Sequence, residues 1–108
     1  MGLVSGIIRL QTLKEMELDL EYKIQTLSQT KMQLASQSFE LVTIGTDLDP
    51  ESPEVKQLEQ RRQKLQLMEK KIDAEVLKHQ NMLKMAEAEI ESAQKIVDNS
   101  IKRSFSYG

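Results

Sequence analysis

The chain has 108 residues, of which 30% are charged and only 4% are aromatic, and its formal net charge is −2. This length fits one small domain, and a composition rich in Lys, Glu and Gln but poor in aromatics is typical of long helices. The balanced charge gives no support for binding nucleic acid or an anionic membrane, and the lack of cysteine excludes a disulfide framework and a cysteine-based metal site.

The first eight residues are predicted to precede the first long helix. They are mildly apolar, but they lack the basic region and the long apolar core of a secretory signal. No segment of the chain reaches the roughly 20 consecutive apolar residues that span a bilayer. The sequence therefore predicts no membrane span, and either a cytoplasmic location or export by a route that uses no signal peptide.

A first helix is predicted from about residue 9 to residue 44. Leucine recurs along it every seven residues, which is typical of a helix that packs lengthwise against another helix. The positions three residues before each leucine are only half apolar, so one stripe is strong and its neighbour is weak. Met16, Met32 and Phe39 lie off this stripe and suggest a second apolar face. The repeating leucines are Leu13, Leu20, Leu27, Leu34 and Leu41.

Helix breakers cluster between residues 45 and 52, which we interpret as the turn of a helical hairpin. Gly45 is predicted to end the first helix in the left-handed conformation that glycine adopts without steric cost. Pro50 disfavours helical geometry at the residue before it. Ser52 is predicted to cap the second helix, with Pro53 at its first position. The acidic residues of the turn suit an ordinary connector, and a recognition tip is the alternative.

A second helix is predicted from about residue 53 to residue 104. Such a helix is roughly 75 Å long at 1.5 Å per residue, and it needs a packing partner to be stable. It repeats the seven-residue pattern. Together with the five leucines of the first helix, its apolar members form the predicted hairpin seam: Leu58, Leu65, Ile72, Val76 and Leu83.

The two repeats align when they run antiparallel with the turn at residues 49–50. This alignment places Lys31 opposite Glu69 and His79 opposite Leu20. Polar layers of this kind commonly fix the register of packed helices. We therefore predict an all-α fold, an antiparallel two-helix coiled-coil hairpin that forms a single domain over residues 1–108 and assembles into an oligomeric bundle. A form in which the turn opens and helices are exchanged between chains is also consistent with the pattern.

The second helix is predicted to outlast the first, so that residues 91–108 overhang. An apolar stripe without a partner in the hairpin suggests a partner outside it. Docking onto another subunit or protein and folding back onto residues 1–8 are the two interpretations. The candidate interface residues are Ile90, Val97, Ile101, Phe105 and Tyr107.

No residue pattern predicts catalysis, a cofactor or a small-molecule substrate. His79 is the only histidine, and a zinc site needs more protein ligands than one histidine supplies. We interpret it as a tolerated polar layer, with a pH-responsive switch as the alternative. The carboxylates lack the Glu-x-x-His spacing of a di-metal bundle, and there is no phosphate-binding loop or nucleophile elbow.

The organisation resembles that of type III secretion needle subunits, which are short helical hairpins with a proline-bearing turn and an apolar C-terminal helix. The matching features are the turn at residues 49–53 and the apolar segment 90–107. Residues 27–35 are similar to the Gln-, Leu- and Ser-rich N-terminal helices of flagellar axial proteins. The resemblance implies a non-enzymatic structural subunit of a secretion filament that self-associates through apolar stripes. The alternative is a coiled-coil adaptor or chaperone-like module that binds another helical protein through a methionine-rich face or its tip.

Overall fold

A computed structural model describes residues 2–107 of the chain, with side chains for residues 2–106, and shows two helices joined by a short turn. Helix α1 spans Leu3–Thr46 and helix α2 spans Pro53–Tyr107. The two helices pack against each other, and the described residues contain no strand. The all-α class and the helical hairpin are therefore confirmed.

Helix α1 begins at Leu3, six residues before the predicted start at residue 9. A helix over residues 3–8 is not favoured locally, because Gly6 lies inside it and glycine inside a helix costs about 1 kcal/mol relative to alanine. Packing overrides that preference, since Gly6 is buried and its Cα faces the side chain of Val97. Helix α2 begins at the predicted residue, Pro53, and extends three residues beyond the predicted end at Ser104.

The prediction that Gly45 ends α1 in the left-handed conformation is wrong. Gly45 lies inside α1, and no residue in the described part of the chain has a positive φ. The helix instead ends with hydrogen bonds of the 3₁₀ type, from each N–H to the carbonyl three residues earlier. The Asp47 N–H donates to the Ile44 carbonyl at 3.4 Å and the Leu48 N–H donates to the Gly45 carbonyl at 3.3 Å. Such i→i+3 bonds satisfy carbonyls at a helix end without a left-handed residue.

The predicted serine cap of α2 is confirmed. Ser52 Oγ accepts a hydrogen bond from the Val55 N–H at 3.4 Å, which is the bond expected of an N-cap side chain. The turn before it is closed by the Ser52 N–H, which donates to the Asp49 carbonyl at 2.9 Å, while Asp49 Oδ1 accepts from the Glu51 N–H at 3.1 Å. The acidic side chain of Asp49 therefore shapes the turn itself.

We expect Gly45→Ala to stabilise the protein by about 0.5–1 kcal/mol, because alanine has the higher helix propensity and the position is helical. A Cβ at Gly45 would meet only Leu58 Cδ1 at 3.9 Å, an ordinary van der Waals distance. The check is the free energy of unfolding from urea titration followed by circular dichroism. A loss of stability would instead support the left-handed cap predicted from the sequence.

The chain divides into two compact units, and each has its own packed layer. The first unit comprises Met1–Lys23 and His79–Gly108. Small residues are prominent among its buried positions, and small side chains let two helix backbones approach closely. The larger side chains beside them are almost completely covered, with Leu20 4% exposed and Val97 5% exposed. The buried residues of the first unit are Gly6, Leu13, Leu20, Ala86, Ala93 and Val97.

The second unit, Ile24–Lys78, contains the turn and is packed less completely. Leu34 is its buried apolar residue, and the other inward positions are half-buried. Two of these positions hold charged side chains, Arg62 and Glu69. Long charged side chains keep their heads in water and so leave the layer beneath them partly open. The unit therefore carries grooves along its inter-helix surface.

Candidate interaction surfaces

The predicted hairpin seam lies between the helices in both units. In each unit the buried and half-buried positions recur with the seven-residue spacing that the sequence shows. Three members are buried, namely Leu13, Leu20 and Leu34. The other seven are half-buried: Leu27, Leu41, Leu58, Leu65, Ile72, Val76 and Leu83.

The predicted pairing of Lys31 with Glu69 is not the contact that forms. Lys31 Nζ lies 2.7 Å from Asp73 Oδ1, one helical turn beyond Glu69, and the Lys31 side chain is exposed. Four methylene groups let the ammonium leave the seam and reach a carboxylate at the surface. The hydrogen bond and the charge of Asp73 raise the pKa of Lys31 above its ordinary value of 10.5, while slight desolvation lowers it and Glu69 adds a smaller increase.

The raised pKa of Lys31 gives the Lys31–Asp73 pair a defined pH dependence. Because the folded-state pKa exceeds the unfolded value, the contribution to stability is complete below pH 10.5 and is lost as the pH rises through the folded-state pKa. We expect the stability difference between wild type and Asp73→Asn to stay constant from about pH 7 to about pH 10 and then to shrink. Glu75→Gln, which alters an exposed carboxylate with no ion pair among the described residues, is the control. A difference that already shrinks below pH 9 would contradict the assignment.

His79 occupies a half-buried position of the first unit, as expected for a polar layer. Its Nδ1 atom is buried, and no described residue forms a hydrogen bond with it. A buried polar atom without a partner lowers stability by the cost of removing it from water. The sequence identified the position, but only the structure shows that the ring nitrogen is unsatisfied.

We expect His79→Leu to raise the free energy of unfolding by about 1 kcal/mol, because leucine fills a similar volume without the unsatisfied nitrogen. Thermal and urea unfolding at neutral pH measure this effect. Gln80→Leu is the control, since Gln80 is exposed and a leucine introduced there should leave stability nearly unchanged. A destabilised His79→Leu protein would show that the imidazole makes a favourable contact.

The prediction that residues 91–108 have no partner within the hairpin is wrong for the first part of this segment, which packs against α1. Val97 is only 5% exposed, because α1 begins at Leu3 and brings Gly6 against it. Ile90 is half-buried in the same layer. The stripe becomes free only further along, where Ile101 is exposed and Phe105 is 82% exposed. The Tyr107 side chain lies outside the described residues.

A groove lined by methionine side chains runs along the first unit. It holds about 130 Å³, and its floor is formed by leucine and alanine side chains of the two helices. The groove exists because the side chain of Ala86 is small. The partly exposed side chains of Met16, Met82 and Met85 flank it. Methionine adapts its shape to different apolar partners. The remaining lining residues are Leu13, Leu20 and Glu89.

A larger groove lies beside the turn in the second unit, and we call it the tip groove. It holds about 400 Å³ and has an apolar floor with charged side chains along its edges. Such a concave apolar surface with a charged rim suits a protein partner. No sequence pattern indicates this groove, because it forms where the inward side chains of the two helices do not meet. It is lined by Gln37, Glu40, Leu41, Ile44, Arg61, Lys64 and Leu65.

Three carboxylates of the first unit form a cluster that was not among the predicted sites. Oxygens of Glu17, Glu21 and Glu87 lie within 4.8 Å of one another. Glu17 and Glu21 are one helical turn apart, which could have suggested half of the cluster. Glu21 and Glu87 are exposed, and we assign no ligand to these residues.

Neither described helix contains a stretch that is both long and apolar enough to cross a membrane. Comparisons of the chain with protein-family models, with curated proteins and with solved structures found no match.

Proposed function

We propose that the chain is a non-enzymatic structural protein, an antiparallel coiled-coil hairpin that self-associates through exposed apolar side chains. One observation carries the proposal. Near its end, α1 carries exposed apolar side chains on several sides that α2 does not cover, and Glu40 is its one charged residue between positions 38 and 46. At about 100° per residue, the side chains of Phe39, Leu41, Val42 and Ile44 point in well-separated directions. Leu41 is half-buried and the other three are exposed.

Apolar side chains that are exposed on several sides of one helix indicate a partner that covers them. The charge distribution supports the same interpretation. Between residues 24 and 46, α1 carries two charged side chains, Lys31 and Glu40, and the rest of that stretch is Gln, Ser, Thr and apolar residues. An uncharged helix surface can be buried against another protein with little electrostatic cost.

The test is the solution mass measured by light scattering over a range of concentrations. We expect the wild-type protein to be larger than a monomer and Ile44→Gln to shift it towards the monomer. Leu77→Gln is the matched control, because Leu77 is an exposed aliphatic residue on α2 of the same unit. A wild-type protein that remains monomeric, or equal effects of both substitutions, would refute the proposal. Electron microscopy of concentrated protein then distinguishes a secretion-filament subunit, which forms fibres, from a closed oligomer.

The second candidate function is an adaptor or chaperone-like module that binds an amphipathic helix of another protein. The methionine-lined groove of the first unit favours it, since Met16, Met82 and Met85 border a channel with apolar walls. A panel of amphipathic helical peptides, with binding followed by calorimetry, tests this function. Met85→Gln should weaken binding at least tenfold, about 1.4 kcal/mol, if the groove is the site. Equal binding by wild type and variant would exclude the groove.

A further inference from the structure

The lining of the tip groove includes two basic residues, and an acidic turn follows Ile44, which also lines the groove. The turn and the start of α2 form an acidic region, and no basic residue occurs between positions 41 and 55. All four members of this acidic turn are exposed: Asp47, Asp49, Glu51 and Glu54. Further along α2, Arg61 and Lys64 line the tip groove, and neither forms an ion pair with any described residue. We call these two residues the basic pair.

The apolar residues of the tip lie at levels between these two charged regions. Arg61 and Lys64 follow the first residue of α2 by eight and eleven positions, which is about 12 to 17 Å along the helix. On α1, Phe39 and Ile44 precede the last helical residue, Thr46, by seven and two positions, which is about 11 and 3 Å. Along the tip, the order is therefore the acidic turn, a zone of exposed apolar residues that also holds Lys56 and Glu59, and the basic pair.

That order is complementary to itself under a two-fold rotation. When the acidic turn of one copy lies over the basic pair of another, the same rotation places the second acidic turn over the first basic pair. The apolar zones then face each other, with Ile44 close to the axis. The groove of about 400 Å³ has room for apolar side chains of the facing tip. Glu40 also lines the groove, so each basic pair has one nearby carboxylate of its own.

We infer that the tip groove binds the tip of a second copy of this chain, in an antiparallel two-fold dimer held by acidic-turn to basic-pair contacts around an apolar centre. The inference rests on the proposed self-association and specifies its geometry. The tips overlap along only about 15 Å of helix length, so the area buried per partner is smaller than the roughly 800 Å² of a standard interface. We therefore expect the dimer to be reversible. Exposed charge pairs at its ends also make it weaker at high salt.

Charge reversal tests this geometry directly. The first variant carries Arg61→Glu and Lys64→Glu. The second carries Asp47→Lys, Glu51→Lys and Glu54→Lys, which leaves the turn-forming Asp49 intact and makes the turn basic. Each variant alone places like charges together at both ends of the dimer. We expect each to raise the dimer dissociation constant at least tenfold in analytical ultracentrifugation, while an equimolar mixture recovers wild-type affinity because both contacts are again between opposite charges.

The control is Lys70→Glu with Lys71→Glu, which makes the same change in charge as the first variant, but on exposed residues of α2 outside the tip groove. Circular dichroism verifies that all variants are folded. A control that weakens association as much as the tip variants, or a mixture that does not recover, overturns the tip dimer. Wild-type association with undiminished affinity in both variants overturns it too but leaves self-association intact, and binding then uses another surface. A wild-type monomer up to about 1 mM overturns self-association itself.

Discussion

Val97→Asp is expected to destabilise the first unit by at least about 3 kcal/mol, because it places a carboxylate without a partner in a packed layer. Val97 is 5% exposed and lies against Gly6, so the charge has no route to water without separation of the helices. Urea unfolding followed by circular dichroism at 222 nm measures the loss.

Ile96→Asp is the matched control for this substitution. Ile96 is the neighbouring residue and is 47% exposed, so its carboxylate stays hydrated and we expect a loss below about 1 kcal/mol. Comparable losses at the two positions would contradict the packing of Val97 against α1. A stable Val97→Asp protein with impaired self-association would restore the interpretation that the sequence first suggested, in which Val97 faces an external partner.

Leu20→Ala is expected to cost about 3 kcal/mol, the middle of the range for removing a buried leucine side chain. Leu20 is 4% exposed, whereas Leu18, two residues earlier on the same helix, is 64% exposed. Leu18→Ala therefore makes the same chemical change outside the packed layer, and we expect it to change stability by less than about 0.5 kcal/mol. The melting temperature and the free energy of unfolding in urea measure both variants.

The difference between Leu20→Ala and Leu18→Ala tests the seam itself. A large difference means that stability depends on the seven-residue stripe, as both sequence and structure indicate. Equal losses would mean that Leu18 is covered in solution. In that case the outer face of α1 is part of an assembly, and the solution mass of the Leu18→Ala variant should fall.

The main architecture was predictable from local patterns. Leucine at every seventh position identified the inward side of α1, and all ten predicted seam residues are buried or half-buried. Ser52 followed by Pro53 identified the start of α2, because a serine cap and a proline at the first position suit the same helix end. These features depend on neighbours in the chain, so the sequence contains them directly.

Predictions that depended on contacts between the helices were less successful. Gly45 is a strong local indication of a helix end, but α1 continues through it. Lys31 was aligned with Glu69, but its flexible side chain reaches Asp73. The tip groove was not predicted, because its volume depends on how far apart the side chains of Leu41, Leu65 and their neighbours remain.

The order of amino acids thus established two helices, the turn between them and the sides that face inward, since propensity and periodicity act over a few residues. Packing between the helices established the early start of α1 at Leu3, the burial of Val97 and the unsatisfied Nδ1 of His79. The physical reason is that the free energy of burying Gly6 against Val97 belongs to a pair of residues far apart in the chain. No local sequence pattern contains this burial free energy, and the burial outweighs the low helix propensity of glycine.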